Sequence, residues 1–361
     1  MYIQWVQVVD YRSYRTLSYS PAPQLNLLTG PNGQGKTNLL EALSLLLVGR
    51  SFRGAKSAEM PRWDAAAASV SGELRRGASS RTLRREVRRR EDGNWAVMGE
   101  GCPWARVVPF AWQDLAILNG PPLARRNFID GFTGKLVPAH LTAHARYRQV
   151  LARRNHLLQS GLGPREMSDR LAPWDEQLAV VGIELAGRRR AAVETIGVEL
   201  ERLFGELGGA GRVRLEYRAS LGEAPTEGVM AELARRREEE DRRGQTLVGP
   251  HRDDLLIELD GRDARLFGSR GQQRLLALAL RLAEVGPVTA AVGSPPVLLL
   301  DDALSELDPE AQRRVLERIE GSGQVFLTTA EPMLSARRAT WWHVEGGRVE
   351  TGIPATEAVP A

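Results

Sequence analysis

The chain has 361 residues, 42% hydrophobic and 26% charged, with 49 Lys+Arg against 45 Asp+Glu and a formal net charge of +4. This composition excludes a disordered tail, a collagen-like rod and a small disulfide scaffold, and the length suits two or three compact units. A single cysteine, Cys102, excludes an internal disulfide and a multi-cysteine metal site. The N-terminus lacks the charged start and apolar core of a signal peptide. The apolar run near residues 42–48 is far short of the roughly 20 residues a membrane helix needs, so the expectation is a cytoplasmic protein with no membrane partner.

In chain order, residues 1–9 alternate and residues 24–28 form an apolar run before Gly30; both predict strands. Helical spacing follows over 36–48, then β character over 66–108, broken by turns at Gly77 and Gly93. Beyond Gly120 the stretches 123–132, 138–159 and 174–207 predict helices, punctuated at Gly161 and at Ala172-Pro173; the two longer ones suggest an antiparallel hairpin. Residues 213–217 read as a strand and 227–243 as a charged helix. Strands at 255–259, 297–300, 324–328 and 340–344 then alternate with helices at 272–284 and 309–319, which implies a parallel sheet faced by helices. The predicted class is α/β: one head made from both chain ends, with an N-terminal part at 1–120 and a C-terminal part at 246–361, interrupted by a helical arm at 121–245.

Gly30-Pro31-Asn32-Gly33-Gln34-Gly35-Lys36-Thr37 fits G-x-x-x-x-G-K-[ST] between a predicted strand and helix. Glycines let backbone N–H groups curl around phosphate oxygens, and the following helix aims its positive N-terminus at them. Lys36 then supplies a cation to the phosphates and Thr37 a hydroxyl to Mg²⁺, with Asn38 completing the ATP-binding stretch. Lysine is otherwise confined to Lys56 and Lys135, because nearly all the cations are arginine. A composition bias towards arginine codons is the expected cause of that excess, which is also compatible with a nucleic-acid partner.

The apolar run 297–300 delivers Asp301 and Asp302 to a sheet edge, where α/β ligands bind. Asp301 is the candidate Mg²⁺ residue and Asp302 the candidate for orienting or deprotonating the attacking water; helix capping is the alternative. Ser269-Arg-Gly271-Gln272 opens the preceding helix, and Ser305-Glu-Leu-Asp308 follows the carboxylates. Ser269 alone reads equally as a helix cap. The order of these elements resembles the ABC-type ATPases, in which the Ser-Gly-Gln helix start of one subunit covers the γ-phosphate held by its partner. The resemblance implies an ATP-dependent homodimer with Ser269, Gly271 and Gln272 completing the opposite site. It also places Gln113 where the superfamily has a glutamine touching Mg²⁺ and the attacking water, with a polar loop residue as the alternative. Thr329 stands where most members have a histidine, consistent with slow hydrolysis.

Longer strings, Gly33-Gln-Gly-Lys-Thr-Asn-Leu-Leu-Glu-Ala42, Gly49-Arg-Ser-Phe-Arg53, Gly120-Pro-Pro-Leu-Ala-Arg-Arg-Asn-Phe-Ile-Asp130, Gly249-Pro-His-Arg-Asp-Asp254 and Gly271-Gln-Gln-Arg274, are similar to the RecF family. That resemblance implies an ABC-type head related to SMC proteins. It further implies weak, DNA-dependent ATP hydrolysis, binding of double-stranded and single-stranded DNA, and action with RecO and RecR in recombinational repair. Trp112-Gln113 departs from the family's Pro-Glu.

Phosphate contact should dominate any DNA binding, because nothing resembles a base-reading helix or zinc finger. Candidate contacts are Arg50, Arg53 and Lys56, and the cluster Arg75, Arg76, Arg81, Arg84, Arg85, Arg88, Arg89 and Arg90; a charged protective edge strand is the alternative for the cluster. Arg125 and Arg126 either contact phosphate or brace the arm. Trp63, Trp95, Trp112, Tyr14 and Tyr147 are expected in the core or an interface rather than stacked on bases. Two other function classes fit a phosphate loop: a transporter-type nucleotide-binding subunit, and a scaffold in which ATP only sets the dimer state.

Overall fold

The computed structural model describes residues 1–161, 163–330 and 338–352. Leu162 of the predicted turn after Gly161, and 331–337 and 353–361 of the predicted C-terminal part, lie outside the described residues. The chain forms two compact units, one from Met1–Leu115, Leu203–Ala210 and Arg270–Ala361, the other from Ala116–Arg202 and Gly211–Ser269.

In the first unit a six-stranded sheet runs in the order Arg348–Thr351, Thr340–Glu345, Leu25–Thr29, Val325–Thr328, Val297–Leu300, Val107–Phe110. Every pairing is parallel except that of the edge strand Arg348–Thr351. Parallel strands buried on both faces read as continuous apolar runs, and Leu25–Thr29, Val297–Leu300 and Val325–Thr328 are buried at every position. The second sheet is antiparallel, in the order Tyr14–Tyr19, Tyr2–Tyr11, Ala67–Arg76, Ser79–Arg89, Trp95–Met98. Helix Lys36–Val48 lies in one core with side chains from both sheets, Leu28, Leu299 and Phe326 with Ile3, Val70 and Val87. It is therefore apolar nearly all round. Its one acid, the buried Glu41, accepts from Arg12 Nε at 2.8 Å and from Ser51.

Several elements differ from expectation. Strands Tyr14–Tyr19 and Arg348–Thr351 and helix Val285–Val292 were not predicted. Helix Pro164–Glu206 runs through Pro173, where a break was expected. The lost backbone bond is flanked by firm anchors: Leu171 is fully buried, and Asp175 accepts from Arg154 and Arg237.

The unit boundary also differs from the expected arm at 121–245. Strand Asp254–Leu259 pairs antiparallel with Val213–Arg218, from Val213↔Leu259 to Arg218↔Asp254, and Arg262–Asp263 adds a third strand. Those ladders hold residues 246–269 in the second unit.

The expectation from residues 42–48 overlooked Arg270–Val292, which by length and composition is apolar enough to cross a membrane. It divides into helices Arg270–Ala283 and Val285–Val292, and 61% of the apolar window is buried inside the protein.

Candidate functional site: the phosphate-loop cavity

Parallel order places the C-terminal ends of Leu25–Thr29, Val325–Thr328, Val297–Leu300 and Val107–Phe110 along one sheet edge, so four distant segments meet there. The segments that follow these ends, with Thr328, line a cavity of about 300 Å³: Asn32, Gly33, Gly35, Lys36, Thr37, Asn38, Trp112, Asp301, Asp302, Thr328, Thr329 and Ala330. Two glycines are required by the path of the loop. Gly30 has φ 135°, and a Cβ there would sit 2.3 Å from the Val344 carbonyl oxygen. Gly35 has φ 112° and precedes the helix; its Cβ would meet Ser13 Oγ at 2.8 Å.

Lys36 Nζ donates to the carbonyls of Gly30 and Pro31, the latter at 2.9 Å. Burial lowers its pKa, opposed by the charges of Asp301 and Asp302. Thr37 Oγ1 donates to Asp301 Oδ1 at 2.9 Å, and Thr328 Oγ1 donates to the same oxygen at 2.9 Å. Burial raises the Asp301 pKa and the two hydroxyls counter it. Asp302 takes a left-handed φ of 50°; its N–H donates to Thr328 Oγ1 at 2.8 Å, and its carbonyl accepts from Arg274 Nη2 at 2.7 Å. A non-glycine residue held there is backbone strain of the kind found at functional sites.

Not every expected residue reaches this cavity. Gly30, Pro31 and Gln34 are absent from its lining; Gln34 Oε1 accepts from Gly346 N at 2.9 Å and braces the loop from outside. Gln113 is likewise absent, and its place is taken by Trp112. The Gln113 Oε1 atom is buried with no hydrogen-bond partner, the sort of orphaned acceptor that calls for a ligand or water. Ser269, Gly271 and Gln272 do not line the cavity; Ser269 and Gly271 are exposed. Thr328 and Arg274 were missed by sequence reasoning. The usable signal for Thr328 was a hydroxyl ending the strand next to the carboxylate strand.

Among the basic candidates, Arg84, Arg88, Arg89 and Arg90 are exposed, as are Arg50, Arg53 and Lys56. The rest of the cluster is engaged. Arg85 is buried and donates to the Gly99 carbonyl at 2.7 Å, Arg75 pairs with Glu73 at 3.1 Å, Arg81 with Glu100 at 3.0 Å, and Arg76 donates to the Val292 carbonyl at 3.2 Å. Arg125 is buried and binds both carboxylate oxygens of Asp254, at 2.7 and 2.9 Å, while Arg126 donates to the Asp253 carbonyl at 2.8 Å. Both brace the second unit. Tyr14 and Tyr147 are core residues, whereas Trp63 and Trp112 are 88% and 69% exposed and lie outside the core.

Residues 2–345 match the family model described as the RecF/RecN/SMC N terminal domain. The DNA replication and repair protein RecF of Desulforudis audaxviator is 37% identical over 350 residues, covering 94% of this chain and 96% of that protein. The protein of the same name from Chloroflexus aurantiacus is 36% identical, covering 98% and 100%. A solved structure of the recombination mediator RecF with ATP superimposes with a TM-score of 0.86 at 27% identity, over 98% of each chain. An Smc head bound to the C-winged helix domain of ScpA shares the fold at a TM-score of 0.55, with 17% identity over 98% of this chain and 97% of that one. A phosphate loop facing a carboxylate strand on an ABC-type head thus has close counterparts, and the chain belongs to the RecF family of SMC-like ATP-binding heads.

Proposed function

We propose that this protein is an ATP-switched DNA-binding protein of recombinational repair. ATP closes two copies head to head over DNA, and slow hydrolysis reopens them. The observation that carries this reading is a division of the machinery. Lys36, Thr37, Asp301 and Asp302 share one cavity, while Ser269, Gly271 and Gln272 stand outside it. A second copy presenting its Ser269 segment would complete the site, so nucleotide binding and dimerisation become one linked equilibrium.

The donors suit a hard divalent cation. Thr37 and Asp301 offer oxygen ligands only. That matches Mg²⁺, which binds through one or two carboxylates and the nucleotide's own phosphates. Mg²⁺ bound there would neutralise charge developing on the phosphates, and Gln113, which does not line the cavity, would have to turn inward to join Thr37 and Asp301 around it. The Lys36 ammonium, now held by two loop carbonyls, exchanges them for phosphate oxygens. Asp302 orients the attacking water and accepts its proton as the bond to the departing ADP breaks.

The relatives' names, and the ATP-bound mediator of the RecFOR pathway, support placing this chain in the cytoplasm as a partner of RecO and RecR on gapped DNA. The test is the mass of the full chain in solution with no nucleotide, ADP or ATP, with and without duplex and single-stranded DNA. A dimer that needs ATP and grips DNA is expected. A monomer that hydrolyses ATP at full rate and binds DNA equally well without it refutes the reading.

A further inference from the structure

Two apolar surfaces stand in water on segments that this dimer would bring together. Trp112 is 69% exposed although it lines the triphosphate cavity. Its turn is fixed from beneath, because Asp114 accepts from Ala111 N at 2.8 Å and from the Arg281 guanidinium. Leu266 and Phe267, each 66% exposed, end the one-turn helix Ala264–Phe267, which Asp263 caps through Arg265 N at 2.9 Å. Only Gly268 separates Phe267 from Ser269. Burying a large apolar side chain is worth about 1.5–3 kcal/mol, so two such groups on held backbone are interface anchors in waiting.

Charge selects the occupant. Around Phe267, Arg262, Arg265 and Arg270 are exposed, and Asp263 is the one acid in residues 262–271. The cavity beside Trp112 carries two acids, Asp301 and Asp302, against one cation, Lys36, and in the proposed function it also receives an anionic triphosphate. The basic, apolar segment of one copy is therefore complementary to the acidic, apolar rim of another. Resting on the reading that Ser269 of one copy faces the cavity of the second, we propose that Trp112 of each copy packs against Leu266 and Phe267 of the other. Two-fold symmetry repeats this contact beside both nucleotides, where it excludes water from the rim of each site.

Cross-linking tests the contact in the full chain. Cys102 is buried and is the one native cysteine, so Cys102→Ala protein serves as background. Trp112→Cys protein is mixed with Phe267→Cys protein, a non-hydrolysable ATP analogue and a short bis-maleimide. A covalent heterodimer that requires both proteins and the nucleotide is expected. Dimers by light scattering with no heterodimer band would overturn the contact and spare the head-to-head reading; a background protein that stays monomeric with nucleotide would overturn both. Independently, Phe267→Asp should weaken nucleotide-dependent dimerisation about tenfold or more while calorimetric ATP binding to the monomer persists. An unchanged dimer constant in that variant contradicts the proposal.

Discussion

Thr37 and Asp301 are 264 positions apart, yet the hydroxyl of one donates to the carboxylate of the other at 2.9 Å. The bond joins the start of the phosphate-loop helix to the end of the carboxylate strand, the two places from which Mg²⁺ would be held. Thr37→Ala removes a donor that counters the burial-driven rise of the Asp301 pKa, along with a candidate ligand. Hydrogen bonds to charged groups are worth about 1.5–3 kcal/mol. Affinity for Mg·ATP should therefore fall about tenfold or more, while affinity for ATP in EDTA changes far less. Calorimetry in the two buffers measures the difference; equal losses would remove Thr37 from the metal's surroundings.

The proposed mechanism gives Asp302 a different job from its neighbour. Its backbone is held on both sides, N–H to Thr328 and carbonyl to Arg274, so Asp302→Asn should preserve the turn. General-base removal costs about 10²–10⁴-fold. ATP binding and dimerisation should survive while phosphate release falls by that order. Unchanged turnover would favour the scaffold reading, in which ATP sets the dimer state alone.

Ser269 separates a site completed by one chain from a site completed by two. Ser269→Ala should bind ATP with wild-type affinity and remain monomeric by light scattering, whereas Lys36→Ala should lose both properties. Normal ATP-dependent dimerisation of the serine variant would contradict the sandwich.

How far all this could be read from the sequence depends on locality. The phosphate loop is contiguous and its glycines are dictated by backbone geometry, so its turn and the helix it opens were legible, but not that Gly30, Pro31 and Gln34 stay out of the cavity lining. Helix Lys36–Val48 was legible from the helical spacing of its leucines, and strand Val297–Leu300 because burial on both faces leaves an unbroken apolar run. Thr328 and Trp112 were not, since a strand's neighbours are set by sheet order and not by distance along the chain. Arginine was least legible. Arg84 and Arg85 are adjacent and chemically identical, but strand alternation turns one to solvent and buries the other against the Gly99 carbonyl. The boundary at residue 269 escaped notice for the same reason, because the partner of strand Asp254–Leu259 lies some forty residues upstream.

The second unit contains a carboxylate that ties its stability to pH. Asp130 is buried, which by itself pushes its pKa up, but hydrogen bonds from His140 and Arg189 and the guanidinium charge outweigh burial and hold it at about 2. Its ordinary value is 3.8. A folded-state pKa below the unfolded one means stability that is complete above about pH 4 and is lost as pH falls toward 2, roughly 2 kcal/mol in all. Thermal melts of the full chain should therefore lose midpoint across that window. Asp130→Asn should start lower at neutral pH and lose less between pH 4 and 2; parallel curves would show that Asp130 does not carry the dependence.

Arg84 and Arg88 share the outward face of strand Ser79–Arg89, with Glu86 between them, and neither is held in an ion pair among the described residues. Arg85, between Arg84 and Glu86, is committed to the fold. This gives a DNA test with its own internal control. Each phosphate contact on duplex DNA contributes about 0.9 to the slope of log K against log salt. Arg84→Glu with Arg88→Glu should weaken ATP-dependent DNA binding at low salt and flatten that slope by about 2 if both arginines meet phosphates. Arg85→Ala should instead lower the melting temperature, because it strips a buried carbonyl of its donor, and leave the salt slope of the folded fraction unchanged. Retained affinity and slope in the double reversal would move the DNA surface away from this strand and toward the exposed Arg50, Arg53 and Lys56.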